Sequence, residues 1–315
     1  MSPIFFVHIP KTAGTSFRKA AEQLFGSERV LYDYSPSAAE TSSLVQQCVY
    51  EEKDLLRFYQ TLCSNRVSFL SGHVNAIKFV YLFSVSQTVT FVRDPVQRVV
   101  SEYQHFVRHH GYEGDLPSFY RKPHFVNRQS KILQNVPLEA MGLVGLNEAY
   151  EDSLAMFNQR YGLNVQSVDM NMGRPDKATS YELPKEQLEE LTALNEQDIR
   201  LYRKAVHLFE QRKALFDNGK GYVHGAVQQM SEKSISGWAW HAQSDMPVAL
   251  SILVDGKQVA TVESKDLRPA FLRLGLPRSG YVGFHYNFVT PLAKRSVVEV
   301  VVDDTGQLVG KKRVQ

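Results

Sequence analysis

Phe5-Phe6-Val7-His8-Ile9-Pro10-Lys11-Thr12-Ala13-Gly14-Thr15-Ser16-Phe17 opens the chain and decides its reading. The apolar, β-prone run Ile4 to Ile9 enters a short loop of Lys, Thr, Gly, Thr and Ser, and a helix-compatible segment, Phe17 to Phe25, leaves it. Strand, loop and helix start in that order make an oxyanion site. The free N–H groups of a helix N-terminus point at the anion, and the helix dipole favours negative charge there. Gly14 lets the backbone come close, Lys11 adds a point charge, and Thr12, Thr15 and Ser16 add hydroxyl donors around Ala13. The order differs from a Walker A loop, where glycines precede the Lys-Ser/Thr pair. The competing reading is an ordinary strand-turn-helix connection capped by Thr15 or Ser16.

Beyond this stretch, strands and helices alternate. Arg29 to Tyr34, Val67 to Leu70, Thr88 to Val92 and Gly142 to Leu146 read as short strands. Leu44 to Leu62, Asn75 to Phe83, Glu148 to Tyr161 and one or two segments between Pro184 and Phe216 read as helices. Asp94 and Pro95 form an N-cap and first helical residue, after which Val96, Val99, Val100, Tyr103, Phe106 and Val107 make one stripe. This pattern implies an α/β fold: a P-loop-like, mostly parallel sheet flanked by helices. Ligands of such sheets bind at the carboxyl ends of the strands, so the loops Pro10–Ser16, Ser71-Gly72-His73 and Arg93-Asp94 converge.

The character changes at Asn218-Gly219-Lys220-Gly221. Two alternating runs around Asp255-Gly256 form a hairpin, and Tyr281 to Phe288 and Val297 to Val302 read as further strands. The expected division is residues 1–220 and a small all-β, sandwich-like domain at 221–315.

The 315 residues carry a net charge of +3, too mild to indicate nucleic acid. No apolar run approaches the ~18 residues of a membrane span, and Ile4 to Ile9 is too short for a signal peptide. Cys48 and Cys63 have neither metal-ligand spacing nor a disulfide framework. The expectation is a cytoplasmic protein with two ordinary thiols and no metal.

Two segments then carry a family resemblance. Pro-Lys-Thr-Ala-Gly-Thr-Ser-Phe (10–17) and Phe-Val-Arg-Asp-Pro-Val-Gln-Arg-Val-Val-Ser-Glu-Tyr (91–103) resemble the sulfotransferases that use 3′-phosphoadenosine 5′-phosphosulfate. The nearest likeness is to the branch holding heparan sulfate 2-O-sulfotransferase and its bacterial relatives, over roughly residues 4–215. The resemblance implies that Lys11, Thr12, Ala13, Gly14, Thr15 and Ser16 cradle the 5′-phosphosulfate, and that Arg93 and Ser101 hold the 3′-phosphate. Gly72-His73-Val74 resembles the segment bearing that branch's catalytic histidine. His73 is accordingly the candidate base for the acceptor hydroxyl, and Lys11 the group that stabilises the leaving phosphate.

The implied co-substrate is 3′-phosphoadenosine 5′-phosphosulfate and the implied acceptor a glycan. Residues 105–131 are rich in Lys, Arg and His, and Arg121, Lys122 and Arg128 suit an anionic sugar; a solvated helix face is the plainer alternative. Asn127 and Gln129 are candidates to bond sugar hydroxyls, and Arg174 and Lys177 for a loop closing over the nucleotide. The tail, with Trp238 and Trp240, resembles a β-sandwich module of some bacterial glycan-acting transferases; its tryptophans suit either sugar stacking or a core. A P-loop kinase or nucleotidase, or a binding protein without turnover, are the competing functions.

Overall fold

The computed structural model describes residues 2–168 and 180–315. Two compact units emerge, the first comprising Met1–Phe79, Gln87–Asn135 and Leu143–Phe209, the second Val80–Ser86, Val136–Gly142 and Glu210–Gln315.

The first unit is built on five parallel strands: β1 (Ile4–Val7), β2 (Val30–Asp33), β3 (Phe69–Gly72), β4 (Thr88–Val92) and β5 (Leu143–Leu146). Their order is β2-β3-β1-β4-β5. Every residue of β1 is buried, as expected for a central strand covered on both faces. Phe5 meets Phe79 on one face, ring centroids 5.5 Å apart. Phe6 meets Phe17 on the other at 4.8 Å. Phe17 belongs to helix α1 (Gly14–Phe25) and also packs on Phe91 and Phe157, each at 5.0 Å. One aromatic side chain thus ties the first turn of α1 to the sheet.

The expected helix over Leu44 to Leu62 is interrupted. A helical stretch ending at Glu51 and a second helix, Leu55–Ser64, flank Lys53, which has a left-handed φ of 56°. Asp54 caps the second helix through Arg57 N. The helix Pro95–His110 starts as its sequence dictates, with Asp94 accepting from Gln97 N at 2.9 Å and Pro95 in the first turn. Its stripe is less simple. Val96, Val99 and Val100 are buried, but Val107 is largely exposed, whereas Arg98 and Glu102 are buried as an ion pair.

The second unit pairs two antiparallel four-stranded sheets. One has the order β10-β11-β7-β6, from β6 (Val223–Met230), β7 (Ser234–His241), β10 (Asp266–Leu267) and β11 (Tyr281–Asn287). The other, β13-β12-β8-β9, uses β8 (Ala249–Val254), β9 (Lys257–Glu263), β12 (Val297–Val302) and β13 (Leu308–Arg313). Val227, Ile235 and Phe284 from one sheet share a core with Leu250, Ile252, Val298 and Val300 from the other. Asp255 and Gly256 both have positive φ, 50° and 81°, as a two-residue hairpin turn of this hand requires. Trp238 and Trp240 are buried and stacked on one another at 4.7 Å. Of the two readings of these tryptophans, the core one holds, because neither ring has a face left for a sugar.

Candidate active site

The loop after β1 carries two residues that normally avoid left-handed backbone, Lys11 (φ 68°) and Ala13 (φ 65°). Such conformations cost of order 1–3 kcal/mol and concentrate at functional sites. Ala13 is the N-cap of α1, and no side chain caps the helix. The N-cap is thus Ala13 rather than Thr15 or Ser16, which lie within the first turn of α1. The buried Thr12 hydroxyl donates to Ile9 O at 2.9 Å, which engages its proton within the loop. The expected hydroxyl donors thus reduce to Thr15 and Ser16.

Arg93, one residue beyond β4, donates from Nη1 to Lys11 O at 3.3 Å. Gln129 is fully buried and holds the Arg93 backbone from both sides, accepting from Arg93 N at 3.0 Å and donating to Arg93 O at 2.9 Å. Ser101 is buried within the Pro95–His110 helix. Burial pushes the Lys11 ammonium below its ordinary value, and the Arg108 and Arg93 guanidiniums act in the same direction against Glu102.

His73 follows β3, the neighbour of β1. Its backbone N donates to Asp33 O at 3.0 Å. The residue is exposed as a whole, yet its ring packs on His8 at 4.4 Å and on Tyr34 at 4.6 Å. Desolvation against these rings, then the Arg128 and Arg18 guanidiniums, bring its pKa down to about 4. Near neutral pH His73 is therefore an uncharged imidazole able to accept a proton.

Several other residues have no local signature in the chain. The buried Asp33 carboxylate accepts from Lys78 Nζ and from the Tyr50 hydroxyl, both at 2.6 Å. His8 lies inside the opening stretch, two residues after Phe6; alternation puts the two on one face, and their rings stack at 5.4 Å. Glu102 binds Arg98 at 2.6 Å and also pairs with Arg128.

The expected acceptor residues turn out to be engaged within the protein. Arg121 makes a two-pronged pair with Glu190, at 2.6 and 2.8 Å, and Lys122 lies 4.3 Å over the Tyr112 ring. Asn127 accepts from Gln197 N and Asp198 N and donates to Leu194 O. Asn127 and Gln129 are thus structural amides rather than sugar donors, since each bonds backbone groups on more than one side. Arg174 and Lys177 fall outside the described residues.

Comparison with known families bears on the same region. Residues 2–135 match the model of the sulfotransferase family. The sulfotransferase match takes in the loop, His73, Arg93 and Ser101. Among solved structures, a sulfotransferase from Alicyclobacillus acidocaldarius is paired with 66% of this chain and 96% of its own, at 15% identity and a TM-score of 0.38. No curated protein matches the chain. Among the described residues, no helix is long and apolar enough to cross a membrane.

Proposed function

We propose that this protein transfers a sulfuryl group from 3′-phosphoadenosine 5′-phosphosulfate to a hydroxyl of a glycan. The observation that carries the reading is the uncapped N-terminus of α1, bordered by left-handed Lys11 and Ala13 and tied through Lys11 O to Arg93. Two anion-binding groups on adjacent strands suit a donor with phosphates at two points. The backbone N–H groups of residues 14–16, with Lys11, Thr15 and Ser16, take the 5′-phosphosulfate. Arg93 and Ser101 take the 3′-phosphate, Arg93 as a permanently charged fork.

In this mechanism the acceptor hydroxyl gives its proton to neutral His73 as its oxygen attacks sulfur. The bond between sulfur and the bridging phosphate oxygen breaks in line. Lys11 stabilises the negative charge that develops on that oxygen, and adenosine 3′,5′-bisphosphate leaves. The protein contributes position and electrostatics, as in phosphoryl transfer. In this reading the β-rich region 221–315 is an accessory domain outside the chemistry.

The test is transfer of radiolabelled sulfate from the nucleotide to a panel of polysaccharides and oligosaccharides. Labelled glycan that depends on the nucleotide is the expected result. Magnesium-dependent turnover of ATP with no sulfate transfer would overturn the proposal in favour of a kinase.

A further inference from the structure

Val7 and Asp33 are both in register with Gly72 across the adjacent strands β1, β3 and β2. The next residue of each strand is therefore level with the others, and those residues are His8, His73 and Tyr34. Their rings form a close triangle. His73 meets His8 at 4.4 Å with planes 67° apart, and Tyr34 at 4.6 Å with planes 82° apart. His8 and Tyr34 are 6.0 Å apart. The base proposed above thus has a ring on each side.

Tyr34 is held in turn by α1. Arg18 Nη1 donates to the Tyr34 hydroxyl at 3.1 Å, and His8 Nδ1 lies 3.2 Å from the same oxygen. Arginine has no acceptor, so the phenol oxygen accepts from Arg18. With the phenol proton turned to His8 Nδ1, that nitrogen accepts, and the ring proton of a neutral His8 sits on Nε2. That edge of the ring faces Gly14, where a Cβ would come within 2.2 Å of Nε2. His8 is buried, and its surroundings disfavour the charged form: burial first, then His73, Arg18 and Lys11. Arg128 and Arg18 are the charged groups that act on the His73 ring through their electrostatic field.

We infer that Tyr34 is a positioning residue for sulfuryl transfer: its hydroxyl, anchored by Arg18, fixes the tautomer and plane of His8, and the rings of His8 and Tyr34 together fix the plane of His73. The inference rests on the reading of His73 as the base. It goes further by giving one α1 side chain control of the base while the start of the same helix cradles the donor. Arg18 and the N-terminus of α1 belong to one helix, so a single element carries both the proposed seat of the sulfuryl group and the anchor of Tyr34.

Tyr34→Phe tests this, because it removes the hydroxyl and keeps the ring beside His73. Nitrogen NMR of the full chain with labelled histidine reads the tautomer directly and needs no activity. Wild type should show His8 protonated at Nε2, and Tyr34→Phe should lose that single form. In kinetics, Tyr34→Phe should lower kcat by about tenfold, less than the ~10²–10⁴-fold that a positioned base itself contributes, with KM for the nucleotide unchanged and the acid limb of the pH–rate profile moved. An Nδ1-protonated His8 in wild type, or wild-type kcat and pH profile in Tyr34→Phe, would overturn the inference. A tautomer as assigned together with full transfer by His73→Ala would remove the base itself, and the positioning role with it.

Discussion

Gly14 sits against the imidazole of His8 so closely that a Cβ on Gly14 would fall 2.0 Å from Cδ2 and 2.2 Å from Nε2. The glycine is a matter of space rather than of backbone freedom, because Gly14 begins α1 with no left-handed φ to satisfy. His8 cannot retreat, since Phe6 stacks on it at 5.4 Å and Tyr34 holds Nδ1. Alanine at a helix start ordinarily gains up to ~1 kcal/mol over glycine. Gly14→Ala is expected to reverse that sign, lowering the melting temperature and weakening adenosine 3′,5′-bisphosphate by about tenfold, or ~1.4 kcal/mol. Thermal unfolding and calorimetry check both parts; a stabilised variant with unchanged affinity would refute the steric account.

His73→Ala should lower sulfate transfer by ~10²–10⁴-fold, the usual contribution of a positioned base. Donor binding should be almost unaffected, because the cradle lies on the loop after β1. Steady-state rates and nucleotide calorimetry on the same preparation separate the two effects. Transfer at the wild-type rate would take His73 out of the mechanism.

Arg93→Ala should weaken adenosine 3′,5′-bisphosphate by roughly 10- to 100-fold, the loss of one charge-assisted hydrogen bond or slightly more. Its backbone should stay in place, because Gln129 holds Arg93 N and O rather than the side chain. Adenosine 5′-phosphate, which lacks the 3′-phosphate, should bind wild type and variant alike. An equal loss for both nucleotides would move Arg93 to the 5′ end.

Acid should destabilise the fold before its carboxylates titrate. His8 is held well below the ordinary histidine value, chiefly by burial, and His73 and His105 come down to about 4, again with desolvation first. For each, the folded pKa lies below the unfolded one, so the unfolded chain takes protons first on acidification. The stabilising contribution is complete above about pH 6.5 and is lost as pH falls from there toward about 4. Melting temperatures followed from about pH 7.5 to about pH 4.5 should fall, and His8→Phe should flatten the profile. A melting temperature constant over that interval would contradict the assigned direction.

Glu102→Ala should cost about 3–5 kcal/mol, the range for removing one partner of a buried ion pair. Glu102 and Arg98 are both buried, and Arg98 also donates to Phe125 O at 3.1 Å. Removing the carboxylate leaves two guanidiniums facing one another, since Arg128 shares it. Denaturant unfolding measures the loss. A change under about 1 kcal/mol would mean that the cluster behaves as an exposed pair.

The two segments that place the candidate site are legible because their chemistry is local. An apolar run long enough for one strand, followed at once by Lys-Thr-Ala-Gly-Thr-Ser, specifies a strand, a loop and a helix start from neighbouring residues alone. Arg93-Asp94-Pro95 does the same for a strand end and a capped helix, and Asp255-Gly256 for a hairpin. Lys53 escaped this reading, because its left-handed turn breaks a helix whose periodicity runs on past it.

Sequence by itself determined an α/β unit whose first strand runs into the Lys11–Ser16 loop and a helix start, a second cationic strand end at Arg93, and a β-rich tail, because these depend on side chains within about a dozen positions of one another. Only the tertiary structure decided what the remaining polar residues do. Arg121, Arg128, Asn127 and Gln129 were indistinguishable from ligand-facing residues until Glu190, Glu102, Asp198 and Arg93 were brought against them by chain packing. His8 and Tyr34 lie 26 positions apart and meet His73 only because β1, β3 and β2 pair in that register. Long-range pairing of this kind carries no local mark, since any polar side chain at a strand end presents the same composition whichever partner the fold delivers to it.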